Sequence, residues 1–331
     1  MKATRLYLSV VTAALATLTL TACSSTTSDE SARSETTTVT VEDNFGEQTI
    51  AIPLRSIVAT DNNTFQTLAS WGVPLKAGAV SLMPDTVSYK HDSSIIDLGT
   101  HLEPNLEAVV AANPDLIVNG NRFGQFREDF QKLAPDAAII DVSARTDQPL
   151  DSELKRGTTV LGEVFGRQSE AQQLNDQFDA AIARVQAAYS TDTSVMGLIV
   201  SGGNFRYAAP HSGRTIGPMF DIFGFRPALE VSQGSDNHLG DDISVEAIAQ
   251  SNPSLIIVMD RDAGTSEAKK DGFQPALKVI EGSPALQNVE AVKNGNVIYM
   301  PADTYTNESI QTYTAFFNSL ADLLEEKNNN N

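Results

Sequence analysis

Two arginines and two glutamates occupy matched positions in a segment that occurs twice in the chain. The copies align without a gap and read NLEAVVAANPDLIVNGNR at 105–122 and SVEAIAQSNPSLIIVMDR at 244–261. Glu107 therefore corresponds to Glu246, and Arg122 to Arg261. Arginine presents a planar fork of donors and stays charged, so it binds carboxylates, phosphates or catecholate oxygens well. The alternative for each arginine is a surface side chain paired with a nearby acid.

Each copy predicts a short helix, an Asn-Pro turn, an apolar strand and then a loop that carries the arginine. Ligands of parallel α/β sheets bind at the carboxyl ends of the strands. The repeat therefore predicts two α/β lobes that flank one cleft, with Arg122 and Arg261 at its two sides. Arg214, in a loop before a predicted helix, is a third candidate for the same cleft.

The matched glutamates each open the predicted helix of their copy. An acid near a helix N-terminus is stabilised by the helix dipole, and this local role is sufficient to explain Glu107 and Glu246. The functional alternative is that the two acids, one on each lobe, contact a two-fold symmetric partner.

Composition limits the function classes. The 331 residues are enough for two domains, and a net charge of −19 argues against binding to nucleic acid. We find no nucleophile elbow, P-loop, dinucleotide fingerprint or His-Glu metal motif, so we expect no enzyme. The four histidines are scattered, which makes a compact zinc or manganese site a poor fit: His91, His101, His211 and His238.

The chain begins like a bacterial lipoprotein precursor. Lys2 and Arg5 precede the apolar stretch 6–20, and small residues then lead to Cys23, the only cysteine. We predict a signal peptide at 1–22, lipidation of Cys23, and a flexible Ser- and Thr-rich tether at 23–37. The alternatives are an ordinary secretory peptide or a transmembrane anchor, for which the apolar stretch is short.

The rest of the chain alternates predicted strands and helices, which favours the α/β class with mostly parallel sheets. We expect two Rossmann-like lobes joined by one long helix, which a capping box at 169–172 would start. The predicted divisions are an N-terminal lobe at 38–152, a helical connector at 153–189, a C-terminal lobe at 190–327 and a disordered tail at 328–331.

The lipobox, the tether, the duplicated lobe, the connecting helix and the Glu-Ala…Asn-Pro-x-Leu-Ile pattern together resemble the substrate-binding lipoproteins of ABC importers for iron-siderophores. These have the helix-linked class III periplasmic-binding-protein fold, which also includes vitamin B12 and haem binders. The resemblance covers 38–327. Within this class, the chain is most similar to binders of ferric catecholate siderophores. The resemblance implies no intrinsic cofactor, since the siderophore carries the ferric iron.

The resemblance also implies roles for particular residues. Glu107 and Glu246 would dock onto arginines of the permease. Arg122, Arg214 and Arg261 would contact the anionic complex. His238 and Tyr305 would complete the iron coordination of a tetradentate siderophore, although PADTYTNES around Tyr305 lacks the neighbouring aromatic residue expected in this family.

The expected function is therefore capture of a ferric siderophore at the extracytoplasmic face of the cell membrane, and delivery to a two-fold symmetric ABC permease with its ATPase. The same fold could instead bind haem or a corrinoid, although an arginine trio favours a charged chelate. A tethered surface enzyme or an adhesin is the alternative from a different class.

Overall fold

The computed structural model describes residues 37–231 and 233–330. The predicted signal peptide, Cys23 and the tether up to residue 36 lie outside the described residues. In the first half of the chain the elements are β1 (Thr37–Asp43), β2 (Gly46–Ile52), β3 (Ile57–Ala59), α1 (Phe65–Ser70), β4 (Ala77–Gly78), β5 (Ile96–Asp97), α2 (Glu107–Ala112), β6 (Leu116–Asn119), α3 (Arg127–Leu133) and β7 (Ala138–Asp141).

The second half begins with two consecutive helices. Its elements are α4 (Leu150–Phe165), α5 (Gln168–Ala188), β8 (Ser194–Ser201), β9 (Asn204–Ala208), α6 (Gly217–Phe223), β10 (Arg226–Pro227), β11 (Asp241–Asp242), α7 (Val245–Ser251), β12 (Leu255–Asp260), α8 (Ala276–Glu281), α9 (Glu290–Lys293), β13 (Val297–Tyr299) and α10 (Ile310–Asn330). Among the described helices, none has both the length and the apolar character needed to cross a bilayer.

The N-terminal sheet has five parallel strands in the order β5-β4-β3-β6-β7. Its central strands β3 and β6 are buried along their whole length, as their continuous apolar sequences predict for a sheet covered on both faces. The hairpin of β1 and β2 packs beside this sheet, where the backbone N–H of Asn44 donates to the carbonyl of Asp141 at 2.9 Å.

The C-terminal sheet is mixed. Strands β10, β12 and β13 run parallel to β8, whereas β9 is antiparallel to β8 and β11 is antiparallel to β9. Both sheets thus confirm the predicted α/β class with mostly parallel strands. The described residues 37–231 and 233–330 belong to one compact unit, in which the connecting helices and the C-terminal segment join the two sheets. The division at 152/153 and 189/190 stays a prediction.

The connector consists of two helices. Gly166, in the left-handed conformation at φ 64°, ends α4, and α5 begins at Gln168 with Arg167 at its N-cap. The predicted capping box at 169–172 is therefore wrong. The N–H of Ala171 bonds the carbonyl of Arg167 at 2.9 Å, which places Ser169 inside the first turn rather than before it.

The predicted disordered tail is also wrong for 328–330, because α10 continues through Asn330. The side-chain amide of Asn328 donates to the carbonyl of Ala188 at 2.9 Å, at the last residue of α5. A helix end leaves such carbonyls without intrahelical partners, and this bond satisfies one of them. Asn331 lies outside the described residues.

The two repeat copies fold alike. The helices α2 and α7 each end at an asparagine with φ 43°, Asn113 and Asn252, and the strands β6 and β12 follow after a proline and one further residue. Asparagine tolerates this left-handed conformation better than other residues with a Cβ. The backbone angles, as well as the sequence, are therefore duplicated.

We predict that Asn113→Ala lowers the free energy of unfolding by about 1 kcal/mol, because alanine is strained at positive φ. Asn252→Ala should lower the free energy of unfolding by about 1 kcal/mol more than Asn113→Ala does. The Oδ1 of Asn252 also accepts a hydrogen bond from the N–H of Glu290 at 2.9 Å, and alanine cannot replace this bond. No side-chain hydrogen bond of Asn113 is seen within 37–231 and 233–330. Urea unfolding measures both costs, and Asn113→Gly, which should be nearly neutral, is the control. Equal losses at the two positions would contradict this account.

Candidate arginine site

Three arginines meet around one tyrosine. The guanidinium carbons of Arg122, Arg261 and Arg214 lie 4.8, 4.6 and 5.5 Å from the ring centre of Tyr305. Such distances are within the range of cation–π contacts. Arg122 and Arg261 come from the two repeat copies, and Arg214 comes from the loop before α6. The structure thus brings together the three arginines that the sequence analysis singled out, and we call them the arginine cluster.

A tight turn after β6 positions Arg122. Gly120 has φ 147°, and a Cβ there would lie 2.2 Å from the Oγ of Ser143, so only glycine fits. The chain then enters a 3₁₀ turn over Asn121–Phe126, which the fully buried Phe123 anchors in the core. From this turn Arg122 reaches the C-terminal segment, where it donates to the carbonyl of Tyr305 at 3.2 Å.

Arg261 follows directly after β12. Its backbone N–H donates to the carbonyl of Val200 at 3.0 Å, which continues the pairing of β12 with β8. Its guanidinium contacts Asp262 at 3.0 Å and the hydroxyl of Ser201 at 3.4 Å. Asp262 is buried and accepts a further bond from the N–H of Gly202, so it is a fixed counter-charge for this arginine.

Arg214 is held by Glu308. The two side chains form an ion pair at 2.6 Å, and the hydroxyl of Thr215 donates to the other oxygen of the same carboxylate. Gly213 allows the loop to approach closely, because a Cβ there would lie 2.4 Å from the backbone nitrogen of Ala209. The charge of Glu308 raises the pKa of Arg214, which keeps this guanidinium protonated.

Tyr305 lies in a 3₁₀ turn at Thr304–Thr306 and is 5% exposed. Burial acts to raise the pKa of its phenol. The charges of Arg122, Arg261 and Arg214, together with a hydrogen bond from Arg122, outweigh burial, so the pKa of Tyr305 lies below its usual value. The arginine cluster therefore favours a negatively charged oxygen at its centre.

His238 is exposed in the loop between β10 and β11. Its pKa is lowered first by partial desolvation and then by the charges of Arg261, Arg214 and Arg122. The lowered pKa favours the neutral imidazole, which is the form in which histidine binds metals. That His238 and Tyr305 act together on one metal ion stays a prediction.

The sequence analysis missed two residues of this site, Asp262 and Glu308, which supply the counter-charges. Neither belongs to a motif, and their proximity to the arginines arises only in the fold. Desolvation and the charge of Arg122 also lower the pKa of His101. Three guanidinium groups against two paired carboxylates leave the arginine cluster with an excess positive charge.

The remaining candidates lie elsewhere. Glu107 and Glu246 are exposed in the first turns of α2 and α7, and neither contacts the arginine cluster. His211 pairs with Asp221 at 2.6 Å, and His91 bonds the carbonyl of Asp85. These two histidines have local partners and do not join His238.

Known proteins share both the sequence pattern and the fold. The ferric-anguibactin-binding protein FatB of Vibrio anguillarum is 29% identical over 81% of this chain and 81% of its own. The petrobactin-binding protein YclQ of Bacillus subtilis is 25% identical over 97% of this chain and 98% of its own. The structure of the catecholate-siderophore binding protein VctP of Vibrio cholerae superposes with a TM-score of 0.73 at 23% identity, covering 86% of this chain and all of VctP.

The profile of the periplasmic binding protein family matches residues 57–304, which include both repeat copies and all strands of the N-terminal and C-terminal sheets. These proteins bind solutes and are not enzymes, in agreement with the prediction from the missing catalytic motifs. The class III fold that the resemblance implies is likewise confirmed by the structural neighbours. The chain belongs to the periplasmic binding protein family.

Proposed function

We propose that this protein binds a ferric siderophore complex of the catecholate type and delivers it to an ABC permease. The observation that carries the proposal is the convergence of Arg122, Arg214 and Arg261 on one buried phenol. A ferric tris-catecholate complex is anionic and presents metal-bound oxygens, which are good acceptors for guanidinium groups. The names of FatB, YclQ and VctP support the same ligand class.

The chemistry of the arginine cluster favours a charged chelate over the alternative cargoes. A haem pocket is mostly apolar apart from its axial ligands, whereas the groups around Tyr305 are three cations with their two carboxylate partners. The overall charge of −19 does not oppose an anionic ligand, because salt screens surface charges beyond about 8–10 Å. A few partly buried arginines therefore dominate the local field.

Tyr305 and His238 supply a second element of the proposal. A tetradentate siderophore leaves two coordination positions of ferric iron open, and phenolate oxygen and imidazole nitrogen both suit iron. The lowered pKa of Tyr305 assists loss of its proton, and the lowered pKa of His238 keeps its imidazole neutral. We infer that both residues complete the coordination of such a complex.

Delivery and anchoring follow from the exposed acids and the N-terminal sequence. Glu107 and Glu246 occupy equivalent positions at the starts of α2 and α7, so they provide matched negative charges for a two-fold symmetric permease. Lipidation at Cys23 would hold the protein at the extracytoplasmic face of the cell membrane. The relatives include a putative ABC transporter substrate-binding lipoprotein, YhfQ of Bacillus subtilis.

The first prediction tests the arginine cluster. Arg122→Ala and Arg261→Ala should each weaken binding of a ferric tris-catecholate complex by about 2–5 kcal/mol, the cost of removing one partner of a buried charge pair. Quenching of Trp71 fluorescence during titration, checked by calorimetry, measures the affinity. Arg226→Ala is the matched control, because Arg226 bonds the carbonyls of Thr191 and Asp192 near the opposite end of β8. Unchanged affinity in both cluster variants would contradict the proposal.

The second prediction concerns iron coordination. Tyr305→Phe and His238→Ala should each weaken binding of a tetradentate ferric bis-catecholate by roughly tenfold or more and change its visible charge-transfer band. A hexadentate tris-catecholate is the control ligand, since it leaves no iron position for the protein. An identical visible spectrum of the bis-catecholate complex in the wild type and both variants would exclude direct coordination.

The third prediction separates docking from binding. The double variant Glu107→Ala, Glu246→Ala should bind the ferric tris-catecholate normally but lose most iron uptake in cells, because both acids are exposed and neither contacts the arginine cluster. Glu128→Ala with Glu290→Ala, which removes acids from the first turns of α3 and α9, is the control. Loss of ligand binding in the first double variant would point to a folding role instead.

A further inference from the structure

Asp61 is a fully buried carboxylic acid that the proposed function does not use. It follows β3, and its Oδ1 accepts a hydrogen bond from the N–H of Asn63 at 3.0 Å. Its Oδ2 is buried without a partner within 37–231 and 233–330. An unpaired buried carboxylate is costly, so this oxygen calls for a proton, a cation or water.

Asp61 lines a small cavity of about 40 Å³, which has room for a few water molecules. The walls come from three parts of the fold: the N-terminal sheet, the connector helix α4, and the start of α10 at Ile310. The aliphatic side chains of Val142, Leu154, Leu161 and Ile310 occupy part of the lining. The other lining residues are mostly polar and include Asn63, Thr64, Thr67, Ser143, Glu153 and Thr158. No group of three or more His, Cys, Asp or Glu side chains that could hold a metal ion occurs within 37–231 and 233–330, whereas a proton needs only the carboxylate itself.

The cavity lies at a junction between the N-terminal sheet and the C-terminal segment. The side-chain amide of Asn62 donates to the carbonyl of Thr306 at 3.2 Å. The Oε1 of Gln66 accepts hydrogen bonds from Asn307 at 2.8 Å and from Ser309 at 2.7 Å. Any movement that separates these residues breaks the bonds and admits water to Asp61. We call residues 61–67 and 303–312 the junction.

The charged groups around Asp61 do not neutralise it. Asp141, on β7, lies beside it, because a Cβ on Gly120 would be 3.0 Å from the Oδ2 of Asp61 and 3.1 Å from the Oδ1 of Asp141. Glu308 faces it from the segment before α10. The remaining charged group of the cavity wall, Glu153 on α4, is already paired with Arg145 and Arg156, and Glu308 is paired with Arg214.

Burial raises the pKa of Asp61 from 3.8 to about 7. The hydrogen bond from the N–H of Asn63, the next largest effect, acts to lower this pKa, and the negative charges of Asp141 and Glu308 add smaller increases. In an opened junction, hydration would return the pKa toward its ordinary value. The closed junction therefore binds a proton that the open junction releases over the range from about pH 4 to pH 7. The closed junction is therefore most stable below the ordinary pKa of aspartate, and this stability falls as the pH rises.

We propose that Asp61 is a proton-binding site that couples opening of the junction to pH. With its proton, Asp61 is a neutral acid, which costs less to bury than the anion, and the junction stays closed. Without it, an unpaired anion faces two further carboxylates, and the junction opens more often. This coupling is a property of the ligand-free protein and does not depend on the identity of the siderophore.

Hydrogen–deuterium exchange of the ligand-free protein at pH 6 and pH 8, corrected for the intrinsic pH dependence of exchange, tests the proposal. In the wild type, the protection of the junction amides should fall by roughly tenfold from pH 6 to pH 8, as expected for one titrating site with a pKa near 7. Asp61→Asn, which cannot ionise, should keep the same protection at both pH values. The hairpin of β1 and β2 should show no such pH dependence in either protein.

Asp115→Asn is the matched control, because Asp115 accepts bonds from the N–H groups of Arg55 and Ser56 away from the junction. It should retain the wild-type pH dependence. Equal wild-type protection at both pH values, or a pH-dependent loss that persists in Asp61→Asn, would overturn the proposal. Should Asp61→Asn fail to fold, the wild-type protein can be labelled with ¹³C at the aspartate carboxyl groups and titrated with pH while NMR follows these carboxyl signals. If no aspartate titrates with a midpoint above about pH 6, the proposal is overturned.

Discussion

The main constraint on this structure is the electrostatic cost of placing three guanidinium groups around one phenol. Like charges at such separations repel, and the protein offsets the repulsion with two fixed carboxylates, Asp262 and Glu308. The compensation is incomplete, because Arg122 contacts the carbonyl and the ring of Tyr305 rather than an acid. The residual positive charge lowers the pKa of Tyr305 and favours the binding of an oxygen-rich anion.

The duplicated segment of the fold supplies two of the three arginines of this site. Each repeat copy places an arginine just after the carboxyl end of a strand, Arg122 after β6 of the N-terminal sheet and Arg261 after β12 of the C-terminal sheet, which is the end of a strand where ligands of α/β sheets bind. The C-terminal segment then crosses between the sheets and contributes Tyr305 and Glu308, while its neighbours bond Asn62 and Gln66. The same short segment thus supports the arginine cluster and closes the junction at Asp61. Ligand binding and junction opening therefore act on the same part of the chain.

Local patterns were sufficient to predict the parts of the site that the repeat carries. Arg122 and Arg261 could be found because helix, turn and strand follow each other within 18 residues, and the α/β class followed from the same order. Asp262 and Glu308 could not be found, because they meet the arginines through tertiary contacts that leave no spacing signal. The errors at the start of α5 and at 328–330 differ in origin. At the start of α5 the first helical turn already includes Ser169, as the backbone bond from Ala171 to Arg167 shows, whereas at 328–330 a tertiary side-chain bond from Asn328 to Ala188 accompanies the extended helix.

The central claim is that the arginine cluster binds the ferric siderophore complex directly. Anomalous X-ray scattering from iron, in crystals of the protein with a ferric tris-catecholate, tests this claim most directly. The account predicts an iron peak between the two sheets, with the catecholate oxygens in hydrogen-bond contact with Arg122, Arg214 and Arg261. An iron peak elsewhere on the protein, with the three arginines still closed around Tyr305, would contradict it.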